Sequence, residues 1–499
     1  MDFMKLIEES PEVSLILSRH LCRRLLNQRL HRIAGAGLSK RPQYIGILTL
    51  FLLHREIPFS RICSAIHEQL TQKLDIGFLN GESAAFAGEN RTNEREFARL
   101  LDLYERSHEL VVLIAEKDTS SLEWIRFCIR QADRIVIFAH LNRSPRPEVM
   151  IDDSIDGCDL ALFGAAPNDD QVAVWLDAVT PLSHFHLRDG DRLNADIARM
   201  CRRVLSVSVG IVLCGGGARA LSHIGVITAL QEAGIQIDRI GAVSLGAFIG
   251  ALFAMGYGPK DVRSVCLQEL GSNPFDDYTF PAVSLIKAKK ARRMMQHVFG
   301  RCTIESLPID FFCLSSDLVS AQPVIHRRGD IVTSVGASVS IPGIAPPIRK
   351  SGKLLVDGGV LNNLPTDIMR DQSEGPIIAS DLLVGKKIED TSMKLPGAPI
   401  PGFSQLFARG SAGLPNILQI LTRTSILGSL RCRWEQQAIA DLVVCTNMEH
   451  IGFFDWEKID EAIESGYQEA LCVLKAARQD GRLNRIVAQR PKLVLADRG

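Results

Sequence analysis

The stretch "SVSVGIVLCGGGARALSHIGVITALQEAG" at residues 206–234 decides the fold of its half of the chain. Its first part is a nearly continuous apolar run, which is typical of a strand covered on both faces of a sheet. A glycine-rich turn follows, and then an apolar segment at helical spacing that ends at Gly234. Strand, tight turn and helix in this order predict an α/β fold with a mainly parallel sheet.

The next stretch, "IGAVSLGAF" at 240–248, places one serine between an apolar run and a segment rich in glycine and alanine. If a strand ends at Val243 and a helix begins after Ser244, the serine occupies a nucleophile elbow, whose pattern is G-x-S-x-G. Gly246 matches the pattern, whereas Ala242 stands at its first glycine. Alanine fits there if its φ is negative. This motif alone leaves Ser244 as either a nucleophile or a serine in a buried turn.

The glycine-rich turn contains Gly215, Gly216 and Gly217, followed by Arg219. Successive N–H groups in such a turn, at the start of a helix, can bind a phosphate or stabilise the oxyanion of a tetrahedral intermediate. A turn of this kind is also common without any ligand. The motif therefore leaves both a binding role and a structural role open.

A third motif, "VDGGVLNNLP" at 356–365, ends a predicted strand on Asp357. Gly358 and Gly359 make the turn, and Pro365 suits the first turn of the next helix. A D-G-G sequence by itself usually marks only a turn.

The order of the three motifs favours a common site. Each follows an apolar strand, and ligands of open α/β sheets bind at the carboxyl ends of the strands. We therefore expect the glycine loop, Ser244 and Asp357 at one edge of the sheet. A catalytic triad would also need a histidine. None of the histidines near or after Ser244 stands at a predicted strand end, so a Ser–Asp dyad is the simpler hypothesis. These histidines are His223, His297, His326 and His450.

Residues 42–200 predict a smaller α/β unit. The segment 120–132 has helical periodicity and a serine cap. No phosphate-binding glycine motif occurs there, which disfavours nucleotide binding as the function of this unit. The predicted strands are "YIGILTLF" (44–51), "LVVLIAE" (110–116), "RIVIFA" (134–139) and "DLALFG" (159–164).

The two ends of the chain predict helices. Leucines recur near helical spacing over residues 2–34, and "GAG" at 35–37 breaks the pattern. At the other end, a helical tail over about 430–478 closes the second unit.

Composition excludes several classes of protein. The 57 basic and 57 acidic residues balance, so no global field draws the chain of 499 residues to nucleic acid or to an anionic membrane. Twelve cysteines without C-x-x-C pairs predict reduced thiols and a cytoplasmic location, and no zinc-ligand spacing appears. The basic segment 285–300 either contacts an anionic lipid surface or is a solvated helix face packed on the domain.

The motifs resemble those of the patatin-like phospholipase family, specifically its neuropathy-target-esterase branch, over about residues 206–475. Two earlier segments resemble regions of the same branch: "IRQADRIVIF" (129–138) the part before the esterase domain, and "IEESPEVSLILSRHLCRRL" (7–25) the helix closing a cyclic-nucleotide-binding domain. The matching motifs are "GGGARALSHIGVITALQEAG" (215–234), "IGAVSLGAFIGALFA" (240–254), "SIPGIAPP" (340–347) and "DGGVLNNLPTDIMR" (357–370).

The resemblance implies a patatin-like three-layer sandwich with a mainly parallel sheet over residues 206–480. A smaller α/β domain of unclear role at 42–200 would precede it. A short N-terminal helical segment at 1–36 would be the remnant of a cyclic-nucleotide-binding module.

The resemblance also implies roles for individual residues. Ser244 would be the nucleophile and Asp357 its catalytic partner, with Gly358 and Gly359 in the aspartate loop. The backbone around Gly215, Gly216, Gly217 and Arg219 would form the oxyanion hole, and Ala242 and Gly246 would flank the elbow. Two residues depart from the family pattern, because Ala220 and Ala242 stand where glycines are usual.

The implied reaction is hydrolysis of phospholipid or lysophospholipid acyl esters through an acyl-enzyme, without a cofactor or metal ion. The expected partners are the lipid substrate and, peripherally, the cytoplasmic membrane face, but not nucleic acid. The alternative favoured by the two alanines is a catalytically weakened patatin-fold protein with a regulatory or interaction role.

Overall fold

The computed structural model describes residues 45–81, 94–145, 157–164, 169–383, 417–487 and 491. The helical segment predicted for residues 1–36 lies outside the described residues. The chain divides into two compact units, of which the first holds residues 1–207, 371–374 and 490–499 and the second holds residues 208–370 and 375–489.

The first unit contains a six-stranded, fully parallel sheet with strand order β2-β3-β1-β4-β5-β6. Its strands are β1 (Ile47–Leu52), β2 (Ile76–Asn80), β3 (Leu110–Glu116), β4 (Arg134–His140), β5 (Asp159–Gly164) and β6 (Ser183–Arg188). Its helices are α1 (Phe59–Thr71), α2 (Glu94–Ser107), α3 (Leu122–Gln131), α4 (Asp169–Val179) and α5 (Leu193–Val204).

Strand β1 shows why its residues are almost all apolar. Leu48 and Leu50 pack into the apolar cluster that includes α1 and α5, whereas Ile47 and Phe51 pack into the cluster that includes α2, α3 and α4. Because alternate residues of a strand point to opposite faces, a strand covered on both faces is apolar at nearly every position. The one polar residue, Thr49, donates its hydroxyl to Cys128 O at 3.0 Å.

The second unit contains an eight-stranded sheet with strand order β11-β12-β9-β8-β7-β13-β14, and β10 pairs with β9. Its strands are β7 (Val209–Leu213), β8 (Ile237–Val243), β9 (Asp310–Asp317), β10 (Gln322–His326), β11 (Ile348–Lys350), β12 (Lys353–Asp357), β13 (Ile377–Leu383) and β14 (Leu442–Asn447). The central strands are parallel, whereas β10, β11 and β12 pair antiparallel.

Every residue of β7 and β8 is buried, because both faces of the second sheet are covered by helices. These helices are α6 (Ser222–Glu232), α7 (Leu245–Ala254), α8 (Pro259–Leu270), α9 (Lys289–Phe299), α10 (Ile331–Ser338), α11 (Thr366–Asp371), α12 (Ile417–Ile439), α13 (Ile459–Gln479) and α14 (Arg482–Val487). Helices α6 and α13 pack closely through two glycines. A Cβ at Gly225 would lie 1.9 Å from Ile463 O, and a Cβ at Gly466 would lie 2.0 Å from Ser222 O.

The predicted α/β class with mainly parallel sheets is confirmed, and so is the serine cap of α3, where Ser121 Oγ accepts from Trp124 N–H at 3.2 Å. The predicted helical tail is wrong at Leu442–Asn447, because β14 separates α12 from α13 there. A run of six residues cannot be assigned to helix or strand by its periodicity alone, and pairing with β13 decides this case.

Candidate active site

Ser244 lies in the turn between β8 and α7, at φ 54° and ψ −132°. A non-glycine residue in this region of backbone space carries a strain of about 1–3 kcal/mol, which the surrounding structure must hold. The serine is buried, with 6% of its surface exposed. Ser244 therefore has the backbone geometry of a nucleophile elbow.

The residues flanking the elbow differ in how strictly they must be small. A Cβ at Gly246 would lie 2.5 Å from Cys214 O, so this glycine is required for the approach of α7 to the end of β7. Ala242 has no positive φ, and its methyl group faces Gly250 of α7, where an added Cβ would lie 3.3 Å away. Ala220 likewise has no positive φ. Alanine therefore fits at both departures from the family pattern without backbone strain.

Asp357 contacts Ser244 directly. Ser244 Oγ donates to Asp357 Oδ2 at 2.6 Å, and Gly359 N–H donates to Asp357 Oδ1 at 2.8 Å. Burial raises the pKa of Asp357 to about 6, although both hydrogen bonds act to lower it. The carboxylate is thus oriented by two donors and is more basic than an ordinary aspartate.

Asp357 reaches the site on a strand that runs against the central ones. Strand β12 pairs antiparallel with the last residues of β9, with Asp357 opposite Ser315. The preceding β9 residue, Leu314, is the partner of Val243 at the end of β8. The expectation that the three motifs meet is confirmed, but the reason given for Asp357, a shared carboxyl edge, is wrong. Strand β9 extends past the end of β8, and β12 returns along that extension.

Two serines at the end of α10 hold the dyad in place: Ser338 is the last residue of the helix, and Ser340 is the first residue of the "SIPGIAPP" motif. The sequence motifs indicated this role for neither of them. Ser338 Oγ accepts from the N–H of Ser244 at 2.9 Å, and the carbonyl of Ser340 accepts from the N–H of Asp357 at 2.8 Å. The available signal was a helix end with serines inside an apolar segment, of which Ser340 begins "SIPG".

The glycine loop is tied to the aspartate loop by Asn363. Gly215 N–H donates to Asn363 Oδ1 at 3.0 Å, and Asn363 Nδ2 donates to Gly215 O at 3.1 Å. The amide of Gly215 therefore has a partner already. Among the residues that the structure describes, no acceptor is bonded to the N–H groups of Gly216 and Gly217.

Close approach or backbone conformation favours glycine at each position of this loop. A Cβ at Gly215 would lie 2.6 Å from Ser244 Cβ, and one at Gly216 would lie 2.4 Å from Leu382 Cδ1. Gly217 has a φ of 60°. Arg219 is buried and its Nε donates to Ile451 O at 2.6 Å, so its side chain anchors the loop to the segment after β14.

Histidines near the site have other partners. His223 contacts Ser380 Oγ at 2.7 Å and Cys214 O at 2.9 Å, and His326 contacts Ser315 Oγ at 2.7 Å. Burial lowers the pKa of each imidazole to about 4. Neither is bonded to Ser244 or Asp357, which leaves the dyad without a histidine among the described residues.

Two cavities meet at Ser244. The larger, of about 370 Å³, is also lined by Asp357, the aspartate loop and part of α12. The smaller, of about 60 Å³, has almost only apolar walls, which include Leu245, Ile344 and Trp456. Ser244, Ile341 and Phe453 line both. The serine is thus accessible from a mixed polar cavity and from an apolar one.

Three arginines line the larger cavity. Besides the anchored Arg219, Arg433 donates from Nε to Asp381 Oδ2 at 2.6 Å. Arg423 has no hydrogen-bond or ion-pair partner in the described parts of the chain. One cation of the cavity is therefore available to an anionic ligand.

The described residues contain no group of three or more His, Cys, Asp or Glu side chains arranged to hold a metal ion. No helix in the described ranges combines the length and the apolar character needed to cross a membrane.

A family model described as patatin-like phospholipase matches residues 211–370. An uncharacterised NTE family protein of Mycobacterium tuberculosis is 30% identical over 492 residues, which cover 95% of this chain and 79% of that protein. Patatin-like phospholipase domain-containing protein 6 of Homo sapiens is 28% identical over 413 residues, covering 73% of this chain and 29% of the relative. Lysophospholipase nte1 of Aspergillus fumigatus is 32% identical over 300 residues, covering 58% of this chain and 19% of that protein. The solved structure of VipD from Legionella pneumophila covers 54% of this chain and 67% of its own, with a TM-score of 0.33 and 15% identity.

The α/β fold and the family-model match assign the second unit to the class of patatin-like phospholipases, which supports a lipid hydrolase. The similarity to the mycobacterial relative extends over nearly the whole chain. The chain belongs to the NTE family of patatin-like phospholipases.

Proposed function

We propose that the chain is a serine esterase that hydrolyses acyl esters of phospholipids or lysophospholipids by a Ser–Asp dyad. The observation that carries the proposal is the 2.6 Å hydrogen bond from Ser244 Oγ to the buried Asp357. It joins a serine at positive φ to a carboxylate whose pKa is raised to about 6. A serine that only filled a turn would need neither the strained backbone nor the basic partner.

Asp357 is the general base of the first step. At neutral pH it is largely ionised, and its pKa of about 6 makes it a stronger base than an ordinary aspartate. Ser244 Oγ attacks the acyl carbonyl carbon while Asp357 accepts the hydroxyl proton. The bond from this carbon to the alcohol oxygen then breaks, and the proton passes from Asp357 to the leaving alkoxide. Water attacks the acyl-enzyme by the same route and releases the fatty acid.

We assign the oxyanion donors to Gly216 and Gly217. Their N–H groups have no acceptor among the described residues, whereas the N–H of Gly215 is bonded to Asn363. Gly216 lines the larger cavity and Gly217 the smaller, and Ser244 lines both. In well-studied hydrolases, the loss of one such donor costs about 3–4 kcal/mol of transition-state stabilisation. Gly215 then shapes the loop, and Arg219 anchors it.

The two cavities support an amphipathic ester as the substrate. The smaller, apolar cavity suits the part of an acyl chain next to the carbonyl. Arg423 in the wall of the larger cavity suits a phosphate, because a guanidinium donates to phosphate oxygens in a fixed fork. The names of the relatives, phospholipase and lysophospholipase, agree with this chemistry.

Labelling by a fluorophosphonate probe tests the nucleophile. We expect the wild type to be labelled and to hydrolyse lysophosphatidylcholine, and Ser244→Ala to do neither. Ser222→Ala is the matched control, because Ser222 is also a buried serine of this unit and its hydroxyl has no hydrogen-bond partner among the described residues. Absence of labelling in folded wild-type protein would refute the proposal.

Arg423→Gln tests the substrate class. We expect its kcat/KM to fall by about tenfold or more for lysophosphatidylcholine, since a charge-assisted hydrogen bond is worth about 1.5–3 kcal/mol. Hydrolysis of a monoacylglycerol, which has no phosphate, should change little. An equal loss with both substrates would contradict a phosphate subsite at Arg423.

The alternative is a catalytically weakened protein with an interaction role, which the sequence suggested through Ala220 and Ala242. The backbone at both residues argues against it, because neither alanine has a positive φ. We expect Ala220→Gly/Ala242→Gly to leave esterase activity within about twofold of the wild type, since alanine is strained only at positive φ. A gain of a hundredfold or more would favour the alternative.

A further inference from the structure

A loop at residues 278–286, named here the docking loop, has a fixed base and an exposed apolar tip. At the base, Tyr278 and Ile286 form an antiparallel bridge, and Thr279 N–H donates to Leu285 O at 2.9 Å. At the tip, Phe280 is 78% exposed and Val283 is 69% exposed. The tip is thus presented to solvent by a hydrogen-bonded frame.

The base of the docking loop lies at the candidate active site. Tyr278, Leu285 and Ile286 line the smaller, apolar cavity, which Ser244 also lines. The N–H groups of Leu285 and Ile286 donate to carbonyls of residues 343 and 344, at 2.9 and 3.0 Å. One short loop therefore connects two exposed apolar side chains to the cavity beside the nucleophile.

Helix α9 follows the docking loop and adds a strongly basic surface. Its apolar residues, including Met294, Met295 and Phe299, are buried in the core, so the helix itself offers no free apolar face. Its cations are on the exposed side. Residues 275–301 contain six lysines and arginines against two aspartates, a net charge of four positive. The cations are Lys287, Lys289, Lys290, Arg292, Arg293 and Arg301.

We propose that the docking loop and the exposed face of α9 form one surface that binds an anionic lipid bilayer. Phe280 and Val283 insert among the lipid chains, and the cations contact the headgroups. Charge complementarity selects this partner, because a basic surface beside exposed apolar side chains matches an anionic interface. Insertion of the tip brings the apolar cavity beside Ser244 to the lipid surface, from which an acyl chain can enter. The inference rests on the proposed function, because the surface would serve to bring a lipid substrate to Ser244. Vesicle binding itself can be measured without any hydrolysis.

The test is vesicle flotation of the full chain with phosphatidylcholine vesicles and with vesicles of phosphatidylcholine and phosphatidylglycerol. The tip variant is Phe280→Gln/Val283→Gln. Its matched control is Leu103→Gln/Val174→Gln, which changes two apolar side chains that are 56% and 52% exposed in the first unit. The basic variant is Lys287→Gln/Lys289→Gln/Arg293→Gln. Thermal unfolding verifies that each variant is folded.

We expect the wild type and the control to bind the mixed vesicles equally. The tip variant should bind at least about tenfold more weakly, because two apolar side chains no longer transfer from water into the lipid. The basic variant should lose about a hundredfold on mixed vesicles and little on phosphatidylcholine, at about 1 kcal/mol per cation near an anionic surface.

Equal binding by the tip variant, the basic variant and the wild type would overturn the proposal, as would a wild type that binds neither vesicle. Ser244→Ala separates this inference from the proposed function. If that variant binds vesicles like the wild type while the wild type shows no esterase activity, the surface stands and the catalytic proposal fails.

Discussion

Asp357→Asn should abolish esterase activity and stabilise the protein at neutral pH. Burial raises the pKa of Asp357 to about 6 from an ordinary 3.8, so the folded state holds this proton more tightly than the unfolded state does. Stability is therefore lost as the pH rises from about 4 to about 6. At 1.36 kcal/mol per pKa unit, the ionised carboxylate costs about 3 kcal/mol at pH 7.

Asparagine removes this cost, keeps the hydrogen bond from Gly359 N–H, and reverses the direction of the one with Ser244. Its amide oxygen can accept from Gly359 N–H, as Asp357 Oδ1 does at 2.8 Å, and its NH₂ group can donate to Ser244 Oγ. The second unit spans about 280 residues, and at about 2.1 cal/mol/K of unfolding entropy per residue, about 3 kcal/mol corresponds to a rise of roughly 5 °C in Tm. The difference between variant and wild type should disappear below about pH 4, where Asp357 is protonated in both folded and unfolded chains.

The assay is thermal unfolding of wild type and variant from pH 4 to pH 8. Asp317→Asn is the matched control in the same sheet, because hydrogen bonds from Ser320, Leu354 and Val319 lower the pKa of Asp317. That substitution should destabilise the protein at neutral pH. Parallel pH profiles for wild type and Asp357→Asn, or a less stable Asp357→Asn at pH 7, would refute the reasoning.

Three further predictions concern rate and packing. The kcat/KM of the wild type should rise about tenfold per pH unit up to about pH 6 and then level off, because the base must be ionised; a profile flat from pH 4 to pH 8 would exclude Asp357 as the base. Asn363→Leu should lower kcat by about ten- to a hundredfold with little change in KM, since two hydrogen bonds to Gly215 are lost; stopped-flow acylation with an unchanged rate would contradict this. Gly250→Ala should lower the free energy of unfolding by about 1–3 kcal/mol, because the added Cβ would lie 3.0 Å from Ile240 Cγ2 and 3.3 Å from Ala242 Cβ. Urea unfolding measures this free energy, and the loss should be smaller in an Ala242→Gly background.

The sequence motifs predicted the elements of the site well. Strand β8, the turn at Ser244 and helix α7 are local, and their apolar runs and small residues indicate them directly. The aspartate turn is local in the same way, because Asp357 caps its own D-G-G turn through the N–H of Gly359. Such features depend on neighbours in the chain, which is why a single sequence is enough to predict them.

The contacts that complete the site join residues distant in sequence, and no pattern indicated them. Ser338 lies 94 positions from Ser244, and Asn363 lies 148 positions from Gly215. Serine and asparagine are common in turns and at helix ends, so their residue type did not indicate these partners. Arg423 was missed for a related reason, since only the packing of α12 brings it into the cavity wall.

By itself, the sequence determined the strand–turn–helix segments that carry the site, the small residues of the elbow, and the positions of Ser244 and Asp357 at the ends of their strands. Backbone sterics and apolar periodicity act over a few residues, so these features depend only on residues that are close together in the sequence. Only the tertiary structure decided that Asp357 arrives on an antiparallel strand, that its burial raises its pKa to about 6, and that Gly215 is bonded to Asn363. Strand pairing, desolvation and long-range hydrogen bonds depend on which distant segments pack together, and that packing exists only once the chain has folded.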